Sequence, residues 1–293
     1  MNFIKSVFIA NYMMAAMALA IYSGWMMSQG GDVVAWSGSM LTTLPIVLVI
    51  SYLMMLQTVA RTSAHFPLLS LLAAIGVGLA GWSWFQGGMG RVDNPDAVPF
   101  ALAASGFVGL LIYSYWFSSF GGRTHSDRIK LGSPLPAFSL VNVKGESLAS
   151  TDLVRGPAIL IFYRGNWCPL CMAQVKELVG KYNDLSKFGV RVALISPQPH
   201  RYTQSLAKKF NVDFDFLTDK GNHAARVLGI DQNFGVPLGM QMFGYKSETV
   251  LPTVIITDGD GKVIWTHETD NYRIRPEPDT FLEVLRRHGI VVD

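Results

Sequence analysis

The two cysteines of the chain, Cys168 and Cys171, stand three residues apart and follow the apolar run 158–162. That run indicates a buried parallel strand, and Pro169 suits the first position of a helix, where its missing N–H costs nothing. A cysteine at a helix N-terminus is acidified, because unpaired backbone N–H groups and the helix dipole favour negative charge there. We therefore expect Cys168 to be a reactive thiolate, with Cys171 one turn further into the helix.

This spacing predicts dithiol redox chemistry. Cys168 can attack a disulfide or an oxidised sulfur, and Cys171 can then resolve the mixed intermediate from short range. The alternatives are a structural disulfide, half of a zinc site, or inert core thiols. A disulfide that closes so short a loop constrains the unfolded chain little, and a zinc site needs four ligands although the chain has no third cysteine. We expect no metal and no other cofactor.

The composition divides the chain sharply. Residues 1–122 contain three basic and three acidic side chains, which leaves 21 basic and 18 acidic ones for the remainder. Four uncharged apolar stretches lie in this first part, and each is long enough as a helix to cross a hydrocarbon core of ~30 Å. They cover residues 7–27, 41–60, 67–85 and 98–120. We expect an N-terminal four-helix transmembrane bundle embedded in the lipid bilayer.

The predicted spans contain no cysteine, histidine or charged residue, so we expect them to anchor the chain rather than to react. Small residues in the segment 75–81 would allow close helix packing or dimerisation.

The basic residues near the span ends lie mainly on one side, which by the positive-inside rule places both termini in the cytoplasm. They are Lys5, Arg61, Arg123, Arg128 and Lys130, against Arg91 alone on the other side. The sequence therefore predicts a multi-pass protein of the bacterial inner membrane with a cytoplasmic redox domain. The net charge of +3 is too diffuse for nucleic-acid binding.

The remainder of the chain has the pattern of a soluble domain. Residues 123–133 indicate a polar linker, and residues 134–293 alternate between buried strands and helices, which indicates an α/β sheet. An antiparallel lead-in is expected over 134–140 with a turn at 144–145. The later strands are predicted over 158–162, 190–195, 214–217, 250–257 and 262–267, and the helices over 169–188, 202–210, 221–228 and 277–287. The turn 258–261 is typical of a hairpin.

Residues from about 130 to 293 resemble the thioredoxin fold, and more closely the peroxiredoxin-like branch of the AhpC/TSA family, the alkyl hydroperoxide reductases and thiol-specific antioxidant proteins. The matching segments are Phe-Tyr-Arg-Gly-Asn-Trp-Cys-Pro-Leu-Cys at 162–171, Leu-Ile-Ser-Pro-Gln at 194–198, Phe-Leu-Thr-Asp at 216–219, Leu-Pro-Thr at 251–253 and Asp-Asn-Tyr-Arg-Ile-Arg-Pro-Glu at 270–277. They keep this order across the whole domain, and the four predicted spans lie outside them. The fold implied is a C-terminal α/β thioredoxin-like domain.

The resemblance also implies roles for site residues. Cys168 would attack, Cys171 would resolve, and the two would form a redox-active disulfide. Pro252 would be a cis-proline that faces this disulfide, and Thr253 beside it belongs to the same matching segment. Trp167 would shield the thiolate and form part of the partner-docking surface.

Positive charge for the site would come from Arg164 or Arg275, which would stabilise a thiolate and polarise a peroxide. Typical peroxiredoxins carry Thr or Ser three residues before the cysteine that meets the peroxide, and Pro seven before it. Counted from Cys168, this chain has Gly165 and Ile161 at those positions.

Our leading hypothesis is a membrane-anchored thiol oxidoreductase. It would reduce a peroxide or a protein disulfide and would itself be reduced by a thioredoxin-like or glutathione-type reductant. One alternative is a non-enzymatic redox sensor. Another is a thioredoxin-fold chaperone that binds copper through Cys168, Cys171 and a histidine such as His200. The apolar, glycine-containing loop 231–249 would cover the active site, rest on the membrane surface or pack on its own domain.

Overall fold

The computed structural model describes residues 2–89, 96–181 and 187–291. Backbone contacts divide the chain into two compact units, of which the first is helical and the second contains the main sheet. The helical unit consists of Val7–Leu56 and Thr62–Ser119, and the sheet unit of Met1–Ser6, Gln57–Arg61 and Phe120–Asp293.

Four long apolar helices make up the N-terminal part of the chain. They are α1 (Asn2–Ser28), α2 (Val33–Leu56), α3 (Pro67–Gly88) and α4 (Val98–Leu111), and α4 continues as a π-helical turn over Ile112–Phe117. With that turn included, each of the four is long and apolar enough to cross a membrane. The structure thus confirms the four apolar helices that the sequence predicts.

Helix α2 differs from the predicted stretch 41–60 at both ends. Asp32 caps its start, because one carboxylate oxygen accepts two backbone N–H groups of the first turn, at 2.8 and 3.1 Å. The helix stops ahead of Gln57, whose φ of 50° is left-handed. The hydropathy pattern does not predict either end, because a polar cap fixes the start of the helix and a left-handed residue fixes its end.

Helices α2 and α3 approach each other closely at two glycines. A Cβ added at Gly76 would lie 2.5 Å from the carbonyl oxygen of Gly38, and one added at Gly38 would lie 2.5 Å from that of Gly76. Only a residue without a side chain fits such a contact. Gly76 belongs to the segment 75–81, for which the sequence predicts close helix packing or dimerisation. Here it allows close packing of two helices within the bundle.

The sheet unit contains a mixed seven-stranded sheet. Its strands are β1 (Ser139–Val141), β2 (Ser147–Ala149), β3 (Ala158–Phe162), β4 (Arg191–Ser196), β5 (Asp215–Thr218), β8 (Thr253–Thr257) and β9 (Val263–Glu268). Their order across the sheet is β2-β1-β5-β4-β3-β8-β9. Strands β3, β4 and β5 run parallel, and β8 joins β3 antiparallel. A second sheet pairs β6 (Asp231–Gln232) with β7 (Thr249–Val250).

Helices lie between these strands. They are α5 (Ser150–Leu153), α6 (Pro169–Gly180), α7 (His200–Phe210), α8 (His223–Leu228) and α9 (Pro278–Arg287), with 3₁₀ turns at Lys220–Asn222 and Met240–Phe243. This alternation confirms the α/β thioredoxin-like fold. Helix α6 ends at Gly180, short of the predicted residue 188, and residues 182–186 lie outside the described part of the chain.

Strand β3 forms the centre of the sheet because its sequence suits burial on both faces. All five residues, Ala-Ile-Leu-Ile-Phe, are buried, and β4 and β8 flank the strand. Apolar runs of this kind are typical of parallel strands covered on both sides. The carboxyl end of β3 is therefore a fixed point. The turn that leads from it to Cys168, residues 163–168, is called the cysteine turn below.

One prediction about a strand is wrong in detail. The single strand 250–257 is split at Pro252, with β7 before it and β8 after it. In the segment 123–133, which the sequence predicts as a polar linker, Arg123 donates hydrogen bonds to the carbonyl oxygen of Pro252 and to Thr253 Oγ1, both at 2.8 Å. Ile129 of the same segment is buried in the core of the sheet unit.

Candidate active site

The cysteine pair lies where strand β3 ends and helix α6 begins. Cys168 is the last residue before the helix, with extended backbone angles, and its carbonyl oxygen accepts the N–H of Met172 at 3.1 Å. Pro169 occupies the first helical position, as predicted. Cys171 lies in the first turn of the helix.

Gly165 allows the turn between strand and helix. Its φ is 146°, and a Cβ at this position would lie 2.7 Å from Nε1 of the Trp167 ring. Any other residue would be strained by the backbone angle and would also collide with the indole. The turn therefore requires glycine for two independent reasons.

Both thiols are free and almost completely buried. Cys168 is 2% exposed and Cys171 0% exposed. The two side chains are hydrogen-bonded to each other. One sulfur can therefore hold a negative charge while the other keeps the shared proton.

Arg275 contacts Cys171 directly. Its Nη2 donates a hydrogen bond to Cys171 Sγ at 3.6 Å, and its Nε is held by the carbonyl oxygen of Tyr272 at 2.9 Å. Burial opposes ionisation of Cys171, but the Cys168 thiol, the charge of Arg275, and the backbone N–H and charge of Arg164 outweigh it. Together they lower the pKa of Cys171 to about 5.

Cys168 is shifted in the opposite direction. The proton that it donates to Cys171, its burial, and the negative charge on Cys171 raise the pKa of Cys168 well above its usual value. The expectation that Cys168 is the thiolate of the reduced pair stays a prediction, and these contacts favour Cys171 in its place. The helix N-terminus favours charge at residue 168, but the direct contacts of Arg275 favour it at residue 171, and a buried pair tolerates only one charge.

Arg164 is a buried residue of the turn. Its guanidinium lies 4.7 Å from the centre of the Trp167 ring and donates to the carbonyl oxygen of Gly235. Its own carbonyl oxygen accepts the Thr249 hydroxyl at 2.7 Å. Both arginines that the sequence singles out thus contribute positive charge to the cysteine pair.

The loop 231–249 packs on its own domain and covers the cysteine turn. Gly235 and Thr249 of this loop bind Arg164, and the Tyr245 hydroxyl donates to Asn166 Oδ1. Tyr245 also stacks on Tyr202 of α7, with ring centres 5.1 Å apart. These contacts explain why Arg164 is shielded from solvent although it lies in a turn.

The Leu251–Pro252 peptide is trans, so the expectation of a cis-proline is wrong. The backbone there is fixed by other contacts: the N–H of Leu251 donates to the Ile230 carbonyl oxygen at 2.7 Å, and Arg123 binds the carbonyl oxygen of Pro252. Pro252 directly precedes β8, where its lack of an N–H removes no ladder bond. Thr253 begins that strand, opposite Phe162 of β3.

Trp167 is half-buried beneath Arg164. Its Nε1 is buried and makes no hydrogen bond within the described ranges.

Sequence reasoning missed the supporting role of two residues at the cysteine turn, Gln198 and Tyr163. Gln198 accepts the N–H of Asn166 at 2.8 Å through Oε1, and its Nε2 donates to the Tyr163 hydroxyl at 3.1 Å. Burial first, and then the charge of Cys171, raise the pKa of Tyr163. Gln198 lies in one of the segments that carry the family resemblance, which was the available signal.

No preformed metal site supports the copper hypothesis. Across residues 2–89, 96–181 and 187–291, no three His, Cys, Asp or Glu side chains lie close enough together to hold a metal ion. His200 instead lies 3.0 Å from Thr218 Oγ1 through its Nδ1.

Comparison with known proteins adds a family to this geometry. The family model for AhpC/TSA matches residues 131–266. A Coxiella burnetii protein named as a peroxiredoxin of the bcp kind is 30% identical over 139 residues, which are 47% of this chain and 88% of that protein. The chain belongs to the AhpC/TSA family. It is a thiol-dependent oxidoreductase with a thioredoxin-like domain.

Two further relatives differ in the chemistry that their names state. Peroxiredoxin Bcp of Escherichia coli is 26% identical over 161 residues, covering 55% of this chain and 98% of that protein. The thiol-disulfide oxidoreductase ResA of Bacillus cereus is 25% identical over 167 residues, covering 56% of this chain and 80% of that protein. Among solved structures, peroxidoxin BcpB of Mycobacterium tuberculosis aligns with a TM-score of 0.46 at 20% identity, over 54% of this chain and 97% of that one.

Proposed function

We propose that this protein is a membrane-anchored thiol peroxidase in which Cys171 attacks a hydroperoxide and Cys168 closes the redox-active disulfide. The observation that carries the proposal is the hydrogen bond from Arg275 Nη2 to Cys171 Sγ at 3.6 Å. An arginine on the sulfur keeps a thiolate at neutral pH, and a thiolate is the nucleophile that a peroxide requires.

The reaction balances with these two cysteines. The Cys171 thiolate attacks one peroxide oxygen, so that an S–O bond forms, the O–O bond breaks, and the leaving alkoxide or hydroxide takes up a proton. Cys171 is then a sulfenic acid. The Cys168 sulfur attacks it, the S–S bond forms and water leaves, so the cysteine pair has supplied two electrons.

This assignment exchanges the two cysteine roles that the sequence predicts, because Cys171 becomes the attacking sulfur. It also changes how the chain compares with the family pattern. Three residues before Cys171 stands Cys168, whose thiol donates a hydrogen bond to the thiolate, as a Thr or Ser hydroxyl could. Seven residues before Cys171 stands Arg164 instead of proline.

The supporting residues act on charge and position. Arg275 and Arg164 stabilise the thiolate, and in our proposal they also stabilise the negative charge that develops on the peroxide oxygen. Trp167 shields the pair from water. Pro252 and Thr253 keep the edge of the site fixed through their bonds to Arg123.

Disulfide exchange is the second candidate, with Cys168 attacking as the sequence predicts. The observation that favours it is the spacing itself, since a Cys-x-x-Cys pair at a helix start suits exchange with protein disulfides. Rapid-mixing rates with hydrogen peroxide and with a model protein disulfide separate the two candidates. A rate with peroxide no higher than that of free cysteine would leave disulfide exchange as the function.

Steady-state turnover tests whether the protein is an enzyme or a redox sensor. We expect repeated oxidation and reduction with a thioredoxin-like or glutathione-type reductant, and loss of turnover in both Cys171→Ser and Cys168→Ser. A protein that is oxidised once and shows no steady-state rate with either reductant would be a sensor.

We further propose that the four apolar helices span a bacterial inner membrane and hold the redox domain in the cytoplasm. The lengths and compositions of α1 to α4 support the spans, and the excess of Lys and Arg on one side supports the orientation. Arg91, on the opposite side in that count, lies outside the described residues. A reporter fused after residue 293 would report the cytoplasm, and a periplasmic signal would reverse the topology.

A further inference from the structure

Arg61 belongs to the sheet unit, although it follows helix α2 in the chain. Its side chain is 29% exposed. The charge pattern of the sequence counts it only among the basic residues near span ends, and it lies outside residues 131–266, which match the family model. In the structure, its guanidinium binds two elements of the sheet unit at once.

One of these elements is the backbone segment 274–277, which contains Arg275. Arg61 Nε donates to the carbonyl oxygen of Arg275 at 3.2 Å, and its Nη2 donates to that of Pro276 at 3.3 Å. The segment forms neither helix nor strand, so a regular ladder of backbone hydrogen bonds does not hold it. The guanidinium of Arg61 therefore fixes the backbone from which the Arg275 side chain extends.

The other element is helix α6, whose first turn contains Cys171. Glu177 lies six residues after Cys171 on this helix, and its two carboxylate oxygens accept Nη1 and Nη2 of Arg61 at 3.0 and 2.5 Å. Two parallel hydrogen bonds between a guanidinium and a carboxylate fix the relative orientation of both groups. Arg61 thus joins the helix that contains the sulfur to the segment that contains the arginine.

The contact between Arg275 and Cys171 depends on the spacing of these two elements. Arg275 Nη2 lies 3.6 Å from Cys171 Sγ, and its Nε donates to the Tyr272 carbonyl oxygen at 2.9 Å. The attraction between a guanidinium and a thiolate falls as their distance grows. A shift of the segment 274–277 away from α6 would therefore weaken the stabilisation of the thiolate.

We propose that Arg61 is a positioning residue, which holds Arg275 against Cys171 by bonding its backbone to helix α6. This role rests on the proposed function, in which Cys171 is the attacking thiolate. Within the described ranges, the hydrogen bonds of Arg61 go to Glu177 and to the carbonyl oxygens of Arg275 and Pro276. Arg61 therefore acts through the position of Arg275 and not through contact with the reacting atoms.

The charged and titratable groups that face this contact come from several elements. Those that interact with Cys171 are Cys168, Arg275, Arg164 and Tyr163, and those that interact with Arg275 include Arg123, Arg164 and His267. A substitution at Arg61 leaves all these side chains in the protein. A change in the ionisation of Cys171 would then report on the position of Arg275.

The pH dependence of alkylation tests this role in the reduced full-length protein in detergent. Arg61→Gln should move the midpoint of the iodoacetamide rate upward by about half a pH unit or more, a part of the effect of a neighbouring charge. Arg61→Lys keeps the charge but not the planar array of donors, so it should move the midpoint in the same direction. In an Arg275→Gln background, Arg61→Gln should have no further effect, because the residue through which it acts is gone.

Lys181→Gln is the matched control. Lys181, at the end of α6, forms an ion pair with Asp279 of α9 at 3.0 Å, so this pair also joins α6 to the chain that follows Arg275. The midpoint of this variant should equal that of the unchanged protein. The pairs of Arg61 and of Lys181 are both partly exposed, so the free energy of unfolding should change little in either variant.

Four results would overturn the role of Arg61. They are a midpoint that Arg61→Gln leaves in place, full restoration by Arg61→Lys, an equal shift in Lys181→Gln, and a shift that persists in the Arg275→Gln background. In each case, a midpoint near pH 5 in the unchanged protein would still support the proposed function. An unchanged protein that titrates like an ordinary thiol would contradict the proposed function and this role together.

Discussion

Nη2 of Arg275 donates a hydrogen bond to Cys171 Sγ at 3.6 Å, although 104 residues separate the two in the chain. Together with the Cys168 thiol, this contact favours the negative charge of the reduced pair on the second cysteine. The first cysteine keeps the shared proton, so its pKa is raised while that of Cys171 is lowered. The ionisation of the site therefore depends on an arginine that only the fold brings to the pair.

The pH dependence of alkylation should show this arrangement. Iodoacetamide reacts with thiolates, so the rate for the reduced protein should be half-maximal near pH 5, where Cys171 titrates. Arg275→Gln removes the positive charge and should move the midpoint upward by one pH unit or more, on the order of the effect of a neighbouring charge. A midpoint that stays in place would show that Arg275 does not set the ionisation.

Folding stability should change with pH in the same direction. The pKa of Cys171 is lowered from 9.0 to about 5 in the folded state, so its ionisation stabilises the folded reduced protein as the pH rises from 5 to 9. That contribution is lost as the pH falls through about 5. The free energy of unfolding of the reduced protein, minus that of Cys171→Ser, should therefore increase between pH 5 and pH 9. A difference that is flat over this range would contradict the assignment.

The bond between Tyr245 and Asn166 should limit access to the pair. Tyr245→Phe removes the hydroxyl that holds the covering loop 231–249 to the cysteine turn, and we expect a loss of about 1 kcal/mol in folding free energy. Alkylation of the pair should become faster. Tyr202→Phe is the matched control, because it removes a bond to Phe243 and keeps the bond to Asn166. Equal alkylation rates in both variants and in the unchanged protein would exclude a covering role for this bond.

Gly165→Ala should be more harmful than an alanine at an unconstrained glycine. Gly145 also has a positive φ, of 88°, but a Cβ there meets nothing within 4 Å. Both variants cost about 1–2 kcal/mol from the backbone angle. Only Gly165→Ala adds the collision with Trp167, which costs about 1–3 kcal/mol more and displaces the turn. Chemical denaturation of both variants measures the difference, and equal losses would show that the indole moves away freely.

Local pattern predicts a large share of this fold. The run 158–162 forms β3, the cysteines begin α6, and the turn 258–261 joins β8 to β9 as a hairpin. These features depend on neighbours in the sequence, such as strand hydrophobicity, proline at a helix start and turn residues. The start of α2 was not predicted correctly, since hydropathy does not detect a cap such as Asp32.

The electrostatics of the site could not be read from the same pattern. Ionisation of Cys171 depends on Arg275, which reaches the pair only through the fold. The backbone at Pro252 is likewise set by Arg123, from a segment that looks like a linker in the sequence. The family resemblance selects Arg164 and Arg275, but a resemblance does not state which sulfur an arginine contacts.

Sulfenic acid trapping tests the central claim most directly. One equivalent of hydrogen peroxide is added to Cys168→Ser and to Cys171→Ser, each with dimedone, and the labelled residue is identified by mass spectrometry. The account predicts that Cys168→Ser is labelled at Cys171 and that Cys171→Ser remains largely unlabelled. Labelling of Cys168 in Cys171→Ser, with Cys171 unlabelled in the other variant, would contradict it.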